Sequence, residues 1–222
     1  MQDKKITFLV FSTDYNVVQI GLFRGPQMQE LVTEHKFSAS KHLMSTVLNL
    51  LECYHTTWQD LAFIATNQGP GPFTTMRVII ATLNGLSFAT AIPLIGVDGL
   101  KALLATPTYP QPTLALLNAF AQDVYYAYHH DNTIKTGWMP INTLLETYMA
   151  ETHERHPVLI GNGVTVYKEA ITHHLPHATI IDQPAPDITI IAQHALAQWH
   201  NKETHSILLP LYLKTMHYQP ST

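Results

Sequence analysis

Asn67-Gln68-Gly69-Pro70-Gly71-Pro72-Phe73-Thr74-Thr75 is the stretch on which the fold turns. It follows an apolar run, residues 61–66, that reads as a buried strand. It precedes residues 74–89, where Met76, Val78, Ile79, Ile80, Leu83, Leu86 and Phe88 cover more than one stripe of a helix. Glycine and proline end the strand, and Thr74 stands where a helix cap is expected. Glycines let a backbone approach an anion, and a helix N-terminus favours negative charge. Gly69, Gly71 and Thr74 are therefore the candidate cofactor-binding contacts. Against this, Pro70 and Pro72 each lack an N–H, and no Gly-Lys-Ser/Thr follows, so the stretch is no phosphate-binding P-loop. The other reading is a rigid strand-to-helix turn.

Upstream, residues 6–11, 17–23 and 30–37 read as three strands of a meander, with turn chemistry at Arg24-Gly25-Pro26. Leu43, Met44, Val47, Leu48, Leu51 and Tyr54 then recur at helical spacing over 40–54, with Ser38 or Ser40 as N-cap. Downstream, a short strand runs to Val97 and a helix starts at 99–105. Pro107, Pro110 and Pro112 stiffen a connection and mark the boundary between residues 1–105 and 106–222. Strands at 113–118, 124–129 and 133–138, a helix at 141–150, a strand at 157–160 and a helix at 190–200 follow. Three strands and then alternating helix and strand, seen twice, describe a duplicated α/β lobe.

The chain has 222 residues, 46% of them hydrophobic and 13% charged, which suits one large domain or two small lobes. Twelve scattered Lys and Arg face 16 Asp and Glu, so no basic face for gripping nucleic acid is expected. Any nucleic-acid role would run through a partner. The single cysteine, Cys53, excludes an intrachain disulfide and reads as a core thiol in a reducing compartment. The apolar run 6–11 is too short for a signal peptide, and no stretch approaches the ~20 apolar residues of a membrane span. A soluble cytoplasmic protein is expected.

Chemistry-bearing patterns are sparse. His173-His174 with His177, His129-His130, and His153 with His156 are the histidine clusters. A metal pair on one helix face needs a spacing of three or four residues and a third ligand. Pro176 interrupts the first cluster, and His153-Glu154-Arg155-His156 falls one residue short of the zinc-protease pattern, so no native metal site is expected. No Gly-x-Ser-x-Gly elbow is present, and no catalytic residue is assigned. Asp14 and Asn118 sit near strand ends, where α/β enzymes carry catalytic carboxylates and amides, but strand-end turns account for them equally well. The remaining signal is apolar helix surface: Leu43, Met44, Val47, Leu48 and Leu51 on one helix, and Met76, Ile79, Ile80 and Leu83 on the next. These are the candidate partner-interface residues.

The run from Asp60 to Ala105 resembles the TsaB (YeaZ) family, whose partner TsaD belongs to the bacterial machinery making N6-threonylcarbamoyladenosine in tRNA. The match lies in Gly69-Pro70-Gly71-Pro72-Phe73-Thr74-Thr75-Met76-Arg77, in Gly85-Leu86-Ser87-Phe88-Ala89, and in Ile92-Pro93-Leu94-Ile95-Gly96-Val97 with Leu100-Lys101-Ala102-Leu103. Weaker echoes are Thr13, Val124-Tyr125, Gly161-Asn162-Gly163 and Pro210-Leu211-Tyr212-Leu213-Lys214. The resemblance implies a duplicated actin-like (ribonuclease H-like, ASKHA) α/β fold with two lobes. It implies a noncatalytic scaffold that binds TsaD through the two apolar helices and reaches TsaE and tRNA, next to the anticodon, only through that complex. It also implies a homodimer when the chain is alone.

The chain departs from the family in having Ser12 and Asn118 where Asp is usual, Pro72 for Ser, and Thr75 for Gly. In actin-like ATPases an acid at the first strand turn helps hold magnesium and phosphate, so Ser12 implies no cofactor bound by this chain alone. The positions of the TsaD metal pair, His-x-x-x-His, fall at Gly99 and Leu103, whose side chains cannot ligate. A glycoprotease-like hydrolase and an actin-like ATPase or kinase are the alternative classes.

Overall fold

The computed structural model describes residues 6–105 and 112–214. The chain divides into two units. The first holds residues up to 105 together with Ala185–Pro210, and the second holds residues 112–184 together with 211–214.

The first unit opens with the meander β1 (Thr7–Thr13), β2 (Val17–Arg24) and β3 (Gln27–His35). Helix α1 (Lys36–Cys53), β4 (Leu61–Gly69), α2 (Phe73–Thr90), β5 (Leu94–Asp98) and the short α3 (Gly99–Leu104) follow. The sheet order is β3-β2-β1-β4-β5, antiparallel within the meander and parallel from β1 through β4 to β5. Central β1 is apolar on both faces, so both faces need a helical cover. Leu9, Phe11 and Ile20 pack beneath α1 and α2, against Leu43, Val47, Ile80 and Leu83. On the opposite face Phe8 stacks on Phe63 at 4.4 Å, and Phe63 stacks on Trp199 at 5.1 Å. Trp199 belongs to α7 (Ile188–His200), whose Ile191, Ala192 and Ala195 complete that second core together with Ala102 of α3.

The helix at 188–200 thus lies in the first unit, whereas the sequence boundary places it with residues 106–222. The physical reason is the uncovered second face of the first sheet, which α1 and α2 cannot reach. The proline-marked boundary itself, residues 106–111, lies outside the described residues. After α7 the chain stays on the first unit. Leu94 and His205 exchange backbone hydrogen bonds of 2.8 Å in each direction. Asn84 of α2 clamps Leu208, its Nδ2 donating to the carbonyl at 2.9 Å and its Oδ1 accepting from the amide at 2.8 Å.

The second unit repeats the plan with β6 (Thr113–Asn118), β7 (Asp123–His130), β8 (Thr133–Pro140), α4 (Ile141–Thr152) and β9 (Val158–Ile160). It continues with α5 (Asn162–Val166), α6 (Lys168–His174) and β10 (Thr179–Ile180). Its sheet order, β10-β9-β6-β7-β8, is the order of the first sheet read from the other edge. This is the duplicated ribonuclease H-like α/β fold. Sequence periodicity misses α5, α6 and β10, because elements of two to seven residues are shorter than the window in which a period is visible.

Helix α1 starts at Lys36 rather than near residue 40, with His35 as its N-cap. Ser38 donates instead to the His35 carbonyl, at 2.8 Å. Lys36 is pinned at the strand-to-helix junction by its amide on Asn16 O (2.9 Å) and its ammonium on Tyr15 O (2.7 Å), so β3 runs into the helix without a loop.

Glu151 of α4 ties the second unit's layers together, accepting from Tyr128 of β7 at 2.6 Å and from Lys135 of β8 at 2.7 Å. Lys135 first and Tyr128 second hold its carboxyl below the ordinary 4.5. A carboxylate with a depressed folded-state pKa stabilises the fold above its unfolded value, and that contribution is lost as pH falls through the folded value. Thermal unfolding followed from pH 6 to about pH 3 is therefore expected to show a shallower acid loss in Glu151→Gln than in the parent, with a lower starting stability at pH 6.

Candidate functional site

Two features lead from the fold toward function: the turn between β4 and α2, and the outward faces of α1 and α2. Asn67 of β4 is buried, and its Oδ1 accepts from the Gly69 amide at 2.9 Å. Gly69 takes φ 109°, a region open to glycine, and Gly69–Pro70 is a cis peptide. A Cβ at Gly71 would meet the Met76 Cε at 2.8 Å. Pro72 is the N-cap of α2, and its carbonyl accepts the first helical bond, from Met76 N at 3.0 Å. Thr74, expected as the cap, is instead an exposed residue of the first turn, because the helix already starts at Phe73. The Arg77 guanidinium lies 3.5 Å over the Phe73 ring. The glycines thus serve a tight strand-to-helix turn built around the Asn67 amide.

The strand-end polar residues are engaged in turns of their own. Asp14 Oδ1 accepts from the amides of Asn16 (2.6 Å) and Val17 (2.7 Å), and Thr13 Oγ1 donates to Val17 O at 2.9 Å. Ser12 is buried on β1. Asn118 Oδ1 accepts from the Phe120 amide at 2.9 Å and from the Tyr167 hydroxyl at 3.0 Å. Gly99 opens α3 with the Asn67 amide packed where a Cβ would stand, and Leu103 is wholly buried.

The histidines do not share a helix face. His153 is the left-handed C-cap of α4, which turns the chain away before His156. Helix α6 ends at His174, before His177, and His129 and His130 are adjacent on β7. Among the described residues no set of three His, Cys, Asp or Glu side chains is placed to hold a metal ion. Cys53 is exposed at the last position of α1, not in the core, because Leu50 and Leu51 already occupy the inward face of that turn.

The outward helix faces differ from the sequence reading. Leu43, Val47 and Leu51 of α1, and Met76, Ile79, Ile80 and Leu83 of α2, are core residues, each at most 5% exposed. They lie on the stripe facing the sheet, and an apolar periodic pattern alone does not distinguish that stripe from an outer one. Of the nine candidates only Leu48, 49% exposed, and the half-buried Met44 face outward. Two aromatics that are not among the interface candidates complete the surface, Phe88 having been read only as part of the α2 apolar pattern. Phe37 is 72% exposed on α1 and Phe88 is 93% exposed on α2. Along α2 the outer stripe reads Phe73, Arg77, Ala81, Gly85, Phe88, with aromatic ends and a small-residue centre. Beside Gly85 an added Cβ meets nothing within 4 Å. The small residues at positions 81, 85 and 89, beside the aromatic at 88, are a signal that could have been read from the sequence.

The family model for TsaD, tRNA N6-adenosine threonylcarbamoyltransferase, matches residues 34–216. The chain belongs to this family, on its TsaB (YeaZ) side. The tRNA threonylcarbamoyladenosine biosynthesis protein TsaB of Buchnera aphidicola (subsp. Baizongia pistaciae) is 21% identical over 217 residues, covering 93% of this chain and 97% of that protein. The Bacillus subtilis protein of the same name is 26% identical over 172 residues, 75% of each chain. YeaZ from Pseudomonas aeruginosa has the same fold, with a TM-score of 0.72 at 22% identity over 94% of this chain and 100% of that one. The family as named in these relatives works in tRNA threonylcarbamoyladenosine biosynthesis.

Two substitutions test the geometry. Gly69→Ala places a side chain at φ 109° and is expected to lose about 1–3 kcal/mol in urea unfolding. Ile80→Asp buries an unpaired carboxylate in the first core and is expected to lose more than about 4 kcal/mol, unfolding the first unit by circular dichroism.

Proposed function

We propose that the chain serves tRNA threonylcarbamoyladenosine biosynthesis as a noncatalytic scaffold, docking a TsaD-type transferase on the outer stripes of α1 and α2. The observation that carries this reading is Phe88, 93% exposed on a helix whose opposite stripe is core. An aromatic ring held in water on a rigid helix gains most from being covered, and the small residues beside it let a partner helix approach closely. Phe73 at the head of the same stripe, and Phe37 and Leu48 on α1, extend the apolar surface. In the absence of the transferase the same face pairs with a second copy, since a helix stripe of this kind is compatible with a two-fold contact.

The noncatalytic part rests on the chemistry of particular positions. Gly99 and Leu103, where the resemblance places the histidine pair of the transferase, offer no ligating side-chain atom. Ser12 supplies no carboxylate at the first strand turn, and Asp14 is occupied in capping that turn. With 12 Lys and Arg against 16 Asp and Glu, contact with tRNA, and with TsaE, runs through the transferase complex. Among the described residues no helix is long and apolar enough to cross a membrane.

Phe88→Asp and Leu48→Asp should leave circular dichroism unchanged while weakening co-elution with a TsaD-type transferase by roughly 30-fold or more, the effect of losing a central aromatic anchor. Unaltered binding by both variants on size-exclusion chromatography would remove this face from the assignment. Threonylcarbamoylation reconstituted with the other components should fail when this chain is omitted. Activity that survives its omission would sink the scaffold reading.

A further inference from the structure

The hairpin between β6 and β7 holds three consecutive non-glycine residues, Phe120, Ala121 and Gln122, at φ 59°, 52° and 66°. Side-chain sterics oppose this left-handed conformation in each of them, so such a run persists only where surrounding contacts over-determine it. Some of those contacts are local. Ala119 N donates to Asp123 O at 3.0 Å, Asp123 N donates back to Phe120 O at 3.0 Å, and Ile141 N donates to Gln122 O at 3.0 Å. Another comes from far along the chain. The Lys214 ammonium lies 2.8 Å from Asp123 Oδ2 and 3.2 Å from the Ala119 carbonyl, bonding the first and last residues of the loop together. It also sits 5.3 Å over the Trp138 ring. The two side chains of the ion pair are only 24% and 13% exposed, so the pair is shielded from solvent compared with an ordinary surface bridge.

The loop it bridges lines a cavity of about 730 Å³ through Phe120 and Gln122, together with Val166, Tyr167 and Lys168, and the Tyr167 hydroxyl also donates to the Asp123 carbonyl at 3.1 Å. We infer that the C-terminal segment carrying Lys214 is a latch. The ammonium closes the loop 119–123 in its left-handed form and thereby sets the shape of this cavity wall. Lys214 is a positioning residue for the loop, and its role is independent of the docking face on α1 and α2.

Amide hydrogen exchange on the full chain tests the latch. Lys214→Met keeps an aliphatic stem over Trp138 and removes the charge, and Asp123→Asn removes the partner carboxylate. In both, the Phe120 and Asp123 amides should exchange roughly tenfold faster or more, as expected for loss of a charge-assisted bond. Amides of β6 and β7 away from the loop should keep their parental rates, and Lys214→Arg should preserve slow exchange in the loop. Exchange that rises uniformly through both strands, or that stays unchanged in the loop, would overturn the latch.

Discussion

A strand that is apolar on both faces cannot be satisfied by helices on one side of its sheet, and β1 is such a strand. Phe8 and Val10 point to one face, while Leu9 and Phe11 point to the other, all fully buried. Helix α1, which follows the meander directly, and α2, which follows β4, cover the second of these faces. The first remains open to water until α7 supplies Ile191, Ala192, Ala195 and Trp199. Keeping Phe8, Phe23, Phe63 and Ile191 out of water on this face is worth several kcal/mol, at about 1.5–3 kcal/mol for each large side chain. That gain is large enough to recruit a helix from near the other end of the chain. The discontinuous composition of the first unit is therefore a consequence of sheet covering.

The second sheet repeats the strand order of the first, and the two hairpins that follow β1 and β6 show what became of their polar residues. At the first, Asp14 satisfies the turn amides of Asn16 and Val17. At the second, Asn118 satisfies Phe120 N and the Tyr167 hydroxyl. A carboxylate or amide already occupied by its own turn is poorly disposed to reach a ligand, an observation in line with the scaffold role proposed above.

Helix α2 shows how one amphipathic pattern serves two purposes. Its inner stripe of Met76, Ile79, Ile80 and Leu83 closes the core, and its outer stripe of Phe73, Ala81, Gly85 and Phe88 is turned to solvent. Asn84, between the two, is neither: its side-chain amide replaces a neighbouring strand for Leu208 and holds the returning chain. Packing, capture of the tail and an exposed aromatic face are thus arranged around a single helix.

The local chemistry of the chain already determined the strand–turn–helix at residues 61–90, the meander before it and its repetition after residue 112. These depend on periodicity and on glycine and proline, which act through neighbours in sequence. The Gly/Pro stretch 67–75 was legible as a turn, but the role of Asn67 within it was not, since an asparagine in an apolar strand gives no sign of which amide it will bond. Leu43, Val47, Leu51 and Ile80 were legible as apolar helix positions, but only the sheet beneath them decided that they face inward and that Leu48 and Phe88 face out. The place of α7 and the reach of Lys214 to Asp123, 91 residues away, were decided by tertiary structure alone. The physical reason is common to all of these. A sequence specifies which faces are apolar and which groups are charged, whereas the partner each one meets is chosen by the elements that three-dimensional packing brings beside it.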